Sequence, residues 1–168
     1  MKHPNPPHRD QSIDVVISVL QYLQCRVGRC GSRVTCNPPP RNTDADYLVE
    51  IIADERRRLD AVSKVIDALS DFGFEWEGNG HYQDGASTFM SWRRGEVNLI
   101  VTSTAEFAEK HRLATRLCTK LNLMNKVDRI ALFQAILYGA DFDPSLNKAG
   151  PAPPRPELPE LSTAEPTF

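Results

Sequence analysis

The segment DYLVEII, residues 46–52, constrains the fold of this chain more than any other. It is a short, nearly continuous apolar run, the pattern expected of a strand buried on both faces of a sheet. Such a strand needs helices to cover it, and the flanking sequence supplies them. Ile13, Val16, Ile17 and Leu20 recur at helical spacing and predict a first helix of about a dozen residues. Residues 25–30 form a short candidate strand. Asp54 is placed to cap a helix whose Leu59, Val62, Ile66, Leu69 and Phe72 face the core, with Gly73 suited to its end.

Further along, residues 88–93 and 96–102 flank Arg94 and Gly95 and read as a hairpin. Ser103 with Glu106 makes a capping box for a helix carrying Phe107, Ala114, Leu117 and Leu121. Asn125 with Asp128 offers a similar start to a last helix, with Ile130, Phe133 and Leu137 inward and Gly139 ending it. The order is helix, strand, turn, strand, helix, three strands, two helices. That predicts an α/β (α+β) fold: a mixed sheet of about four to five strands with flanking helices, closed by a C-terminal helical hairpin.

A length of 168 residues fits one domain with tails. Residues 1–11 are expected to be a flexible N-terminus, and residues 12–140 the folded domain. Residues 141–168 should be a disordered tail, because seven of the thirteen prolines fall in the last 25 residues and apolar periodicity stops there. Its PxxP spacings, such as Pro151 to Pro154, could dock a protein partner's aromatic groove, although a solvated tail is the plainer expectation. A net charge of −2 gives no basic field to attract nucleic acid or membrane as a whole, so a charged partner must be met locally. The N-terminus lacks a signal-peptide core and no run approaches a membrane span, which leads to an expected cytoplasmic location. Cys25, Cys30, Cys36 and Cys118 lack zinc-knuckle spacing and read as reduced, mostly buried thiols.

Chemistry concentrates in residues 30–49, CGSRVTCNPPPRNTDADYLV. In a strand, residues i and i+2 share a face, with Cα atoms about 6.5 Å apart. Asp44 and Asp46 would then present two carboxylates into one space, and like charges that close call for a cation between them. A hard divalent ion suits them, Mg²⁺ first and Mn²⁺ as an alternative, because it takes oxygen ligands and leaves coordination open for phosphates. At the other end, Gly31 lets the backbone turn sharply, and Ser32 adds a hydroxyl and an amide where a short helix can hold phosphate. Neither a P-loop nor a dinucleotide fingerprint is present.

Gly31-Ser32, then eleven residues, then Asp44-Ala45-Asp46-Tyr47 resembles the signature of the DNA polymerase beta-like nucleotidyltransferase superfamily. The segments GEVNLIVTS and KVDRIALFQAILYG are also similar to small nucleotidyltransferase-like proteins of bacteriophages. The resemblance spans residues 12–140, and its diagnostic parts are the Gly-Ser and Asp-x-Asp motifs. It implies that Gly31 and Ser32 hold the triphosphate of a nucleoside triphosphate, and that Asp44 and Asp46 bind Mg²⁺. Arg33 follows the turn and by its position could touch the triphosphate, although surface arginines in loops are common. The superfamily also supplies a third carboxylate from a neighbouring strand. Here Asn98 stands in that place, and an amide neither neutralises charge nor accepts a proton from an attacking hydroxyl. Glu96, two residues back on the expected strand face, could substitute.

Three functions follow. The first is Mg²⁺-dependent transfer of a nucleotidyl group from an NTP to an acceptor (a protein, an RNA end or a small molecule) with release of pyrophosphate. The second is a nucleotide-binding or protein-interaction module of the same fold with little catalysis. The third is an interaction protein working through its last helices and tail. Other polar and aromatic residues carry plainer expectations. Arg41 lies in the loop before the acids and could touch phosphate. Arg93, Arg94 and the run Arg56-Arg57-Arg58 read as solvated, His111 as structural, Trp76 and Trp92 as core or partly exposed. His81 sits in a polar, Gly-rich loop suited to substrate recognition.

Overall fold

The DYLVEII run, except for its last residue Ile52, which lies past the strand and is half exposed, falls in the second strand of a five-stranded sheet with helices on both faces, in a computed structural model that describes residues 11–41, 43–78 and 89–142. The elements in chain order are α1 (Ile13–Tyr22), β1 (Cys25–Cys30), α2 (Ser32–Thr35), β2 (Ala45–Ile51) and α3 (Arg58–Asp71). They continue with β3 (Glu75–Gly78), β4 (Met90–Arg94), β5 (Val97–Thr102), α4 (Ala105–Leu121) and α5 (Lys126–Tyr138). The sheet order is β1-β2-β5-β4-β3, with β2 and β5 parallel and every other neighbouring pair antiparallel. The expected mixed sheet and element order are therefore present. His81, Thr88, residues 1–10 and the tail from residue 143 lie outside the described residues.

Strand alternation sorts β2 between two cores. Tyr47, Val49 and Ile51 join Leu99 and Val101 of β5 against α1 and α3, which contribute Val16, Leu20, Val65 and Leu69. Leu48 faces the opposite way, into a second cluster with Phe107, Ala108, Ala114 and Cys118 of α4 and Phe133 and Leu137 of α5. Val49, Leu99 and Val101 are wholly buried, each contributing about 1.5–3 kcal/mol by leaving water. Glu50 shares the second face and is also buried, its carboxylate held by Arg112 of α4 and, at 3.3 Å, by Arg26 of β1. All four cysteines are free and buried.

Several local expectations need correction. Leu59 is 85% exposed, because α3 begins only at Arg58 and its core stripe starts later, leaving Val65 and Leu69 as its buried residues. Asp54 caps a preceding turn, accepting the Arg57 amide at 2.9 Å, and not the helix itself. The Ser103–Glu106 capping box does not form. Thr104 is the N-cap without a side-chain bond, and its own amide donates to Thr102 Oγ1 at 3.0 Å. Leu121 is 60% exposed at the end of α4, and the inward position falls to Cys118. Asn125 does cap α5, accepting the Val127 amide at 2.9 Å. Gly73, at φ +75°, closes α3 as expected.

Candidate active site

The glycine turn and the acids meet through Gly31. β1 ends at Cys30, the register partner of Asp46, so the chain turns over Asp46 directly into α2. Gly31 has φ +70° and ψ −171°, a conformation nearly confined to glycine. A Cβ at this position would stand 2.0 Å from Asp46 Oδ2 and 2.8 Å from Asp46 Cβ. Position 31 therefore excludes a side chain twice over, by backbone and by space. The amides of Val34 and Thr35 donate to the Gly31 carbonyl at 3.1 and 3.0 Å. The first amides of α2, those of Ser32 and Arg33, are the ones helix geometry leaves without an intrahelical acceptor.

The far side of this turn is fastened by contacts that the sequence does not advertise. The Asn37 amide donates to Asn122 Oδ1 at 2.9 Å, and Asn122 Nδ2 donates to the Asn37 carbonyl at 3.2 Å. Arg129 Nη1 donates to the carbonyls of Leu123 and Met124 and to Cys36 Sγ, at 2.9, 2.6 and 3.1 Å. The loop after α2 is thereby tied to the α4–α5 turn.

Asp46 opens β2's polar end, and Asp44 lies two residues back, just before the strand. Both are half-buried. In the parallel pair, Asp46 is opposite Asn98, and Asn98 Nδ2 donates to Asp46 Oδ1 at 3.0 Å. Ser91 Oγ donates to Asn98 Oδ1 at 2.9 Å, which fixes the amide's orientation with its NH₂ toward the acid. Burial pushes the Asp46 carboxyl above its ordinary range. The Asn98 hydrogen bond pulls it back, Asp44 repels it further upward, and Arg93 and Arg33 lower it, with the net direction upward. Asp46 is a carboxylate short of positive charge.

Asp44 is supplied differently. Arg93 of β4 is the register partner of Asn98, so its side chain rises on the same face and crosses toward β2. Its Nη1 meets Asp44 Oδ2 at 2.9 Å and its Nε meets Glu77 Oε2 at 2.8 Å. The expectation of a solvated Arg93 is corrected: only 30% of its side chain is exposed, and it bridges two carboxylates. Arg94 is also engaged, donating to the carbonyls of Phe72 and Gln11 at 2.9 and 2.7 Å and lying over the Phe74 ring.

Glu96 sits elsewhere than expected. The hairpin turn consists of Gly95 and Glu96, with Arg94 opposite Val97, so Glu96 lies in the turn and not on β5. Its side chain is 82% exposed and pairs with Arg33 at 3.4 Å. The two-residue turn was the signal that places Arg93 across from Asn98. Arg41 is exposed, Trp76 is 37% exposed and Trp92 is buried. His111 is buried between Phe107 and Phe133, as a structural residue of α4. Gly31, Ser91, Asp44, Asp46, Asn98, Arg93 and Glu77 therefore form one constellation, with Arg33 and Glu96 at its rim. Among the described residues, no group of three or more His, Cys, Asp or Glu gathers as a metal-binding cluster.

The molecule is thus a mixed α/β domain presenting two acids beside a glycine turn at one end of its central strands. No family model matches the chain, and no curated protein matches it. Among solved structures it is similar to terminal uridylyl transferase 4 from Trypanosoma brucei with bound UTP and UpU, at 13% identity and a TM-score of 0.39. That likeness covers 91% of this chain and 63% of the other, so this chain spans less than two thirds of the matched protein's length. No helix among the described residues is long and apolar enough to cross a membrane.

Proposed function

We propose that the chain is a nucleotidyltransferase of the kind its Gly-Ser and Asp-x-Asp motifs resemble, using a divalent cation and a nucleoside triphosphate. The observation that carries this reading is the packing of Gly31 directly on the Asp46 side chain, which joins the glycine turn to a pair of acids. The residues fit a cation: Asp46 is raised by burial and by Asp44, and an oxygen-seeking divalent ion relieves both. Asp44 and Asp46 would hold it, and Mg²⁺ or Mn²⁺ there supplies charge neutralisation at the polyphosphate.

The chain's own residues do the rest. Ser32 Oγ and the amides of Ser32 and Arg33 bind the outer phosphates, with the Arg33 guanidinium within reach of them. The acceptor oxygen bonds to the α-phosphorus as the bond to the pyrophosphate oxygen breaks. Catalysis comes from positioning and charge compensation, without a covalent intermediate. Asn98 takes no proton, so the acceptor's proton passes to solvent or phosphate. Asn98 instead keeps Asp46 in place through the Ser91 relay.

That same relay favours a second reading, a nucleotide-binding module with little turnover, since the third position offers an amide already committed at both ends. Incubation with α-³²P-NTPs and Mg²⁺ separates the two. Label transfer that is lost in Asp44→Ala and Asp46→Ala supports the enzyme. Thermal stabilisation by NTP and Mg²⁺ with no label transfer to any acceptor tried favours the module. No stabilisation by any NTP overturns both.

A further inference from the structure

We propose that Arg93 is an internal counter-ion occupying the cation's place at Asp44, and that Glu77 is the second anchor that receives it when a divalent ion enters. This rests on reading Asp44 and Asp46 as a cation site. The two carboxylates are treated unequally. Asp46 receives an uncharged amide, whereas Asp44 receives a full guanidinium at 2.9 Å. A guanidinium stays charged at any working pH, so it cannot be neutralised to make room for a metal. A divalent ion on Asp44 therefore faces a fixed positive charge unless Arg93 moves.

The structure provides somewhere to move. Arg93 uses separate nitrogens for its partners, Nη1 for Asp44 and Nε for Glu77, so the first contact can break while the second holds. The Nε bond lies nearer the backbone and acts as the pivot. Glu77 comes from β3, on the opposite side of β4 from β5, so keeping that contact draws the guanidinium away from Asp44. An NTP brings a further anionic partner for the freed nitrogens. Metal and nucleotide then bind with positive coupling: each removes an obstacle to the other.

The test uses the full chain and Mn²⁺ alone, followed by calorimetry or electron paramagnetic resonance, with and without a non-hydrolysable NTP. Arg93→Met is expected to bind Mn²⁺ about ten-fold more tightly than wild type without nucleotide, the size of effect one neighbouring charge has on a carboxylate. Its gain from added nucleotide should shrink correspondingly. Glu77→Gln should shift Mn²⁺ affinity the opposite way, because Arg93 is left with Asp44 as its one anionic partner in the pair. Circular dichroism reports whether each variant is folded; if Arg93→Met is not, Arg93→Gln, which also removes the charge, replaces it. Unchanged or weaker Mn²⁺ binding in folded Arg93 variants overturns the proposal, as does a shift of the same sign in both positions. Failure here with label transfer intact leaves the nucleotidyltransferase reading standing. Opposite Mn²⁺ shifts without label transfer uphold the counter-ion and favour the binding module.

Discussion

Replacing Gly31 with alanine tests the junction on which the site depends. The new Cβ meets Asp46 at Oδ2, Cγ and Cβ, at 2.0, 2.6 and 2.8 Å. Rotating the carboxylate relieves the first two contacts but not the third, so the backbone must give as well. The overpacking costs about 1–3 kcal/mol. The backbone conformation, foreign to an L-residue, costs about 1–3 kcal/mol more. Taking about 4 kcal/mol in total, at ~3 °C per kcal/mol for a domain of this size, Tm falls by about 12 °C. Two other glycines calibrate the result. Gly95→Ala carries the left-handed penalty alone, since nothing lies within 4 Å of its Cβ, and should lose about 3–6 °C. Gly28→Ala meets open space in β1 and should be neutral or gain up to ~1 kcal/mol. Combining Gly31→Ala with Asp46→Gly removes the three nearest clashing atoms and should recover the overpacking part as a coupling energy of about 1–3 kcal/mol. Differential scanning calorimetry reads all of these. A Gly31→Ala protein that melts no lower than Gly95→Ala, with NTP stabilisation intact, refutes the reasoning.

Asp46→Asn should raise stability at pH 7: the carboxyl is shifted upward by burial, so the folded state resists its ionisation, and the advantage should vanish as pH falls below the ordinary carboxylate range, as read by urea melts at two pH values. His111, whose Nδ1 has no hydrogen-bond partner among the described residues, is pushed by burial from 6.5 down to about 4, so its neutral form contributes stability above pH 6.5 that drains away as pH falls toward 4. His111→Phe should lack that slope and gain roughly 2–3 kcal/mol on wild type between pH 7 and 4.5; parallel slopes in the two proteins would discard this account. Arg112→Met leaves the buried Glu50 with Arg26, whose side chain is 65% exposed, and should cost about 3 kcal/mol in denaturant unfolding; a loss under ~1 kcal/mol would mean water reaches Glu50 freely.

What the sequence revealed and concealed divides along physical lines. Cys25–Cys30, the short helix at Ser32 and the Asn125 cap are local, and local chemistry announced them. The double burial of β2 was also legible, because a continuous apolar run has few other uses. Glu96 was misplaced because shifting a hairpin turn by one residue moves a side chain from strand to loop, and no local preference fixed that register. The bridge from Arg93 to Asp44 and Glu77 was invisible for a related reason. It joins β3 and β4 to the residue that leads into β2, and only the sheet order makes them neighbours. Leu59 shows the opposite failure: its helical spacing suggested burial, but the first turn of α3 projects past the core.

The Asp46–Asn98 pairing joins positions 52 residues apart across a parallel ladder, with α3, β3 and β4 strung between them. Contacts of that separation form after the local hairpin and helices, because the entropy of closing so long a span is lost before any ladder bond compensates. During synthesis, a growing polypeptide that has emerged only through α3 carries its glycine turn, both acids and the β1 partner of Asp46, but not β5 with Asn98. The Asp46–Asn98 contact is thus closed late, when residues 97–102 leave the ribosome and insert between two strands already made.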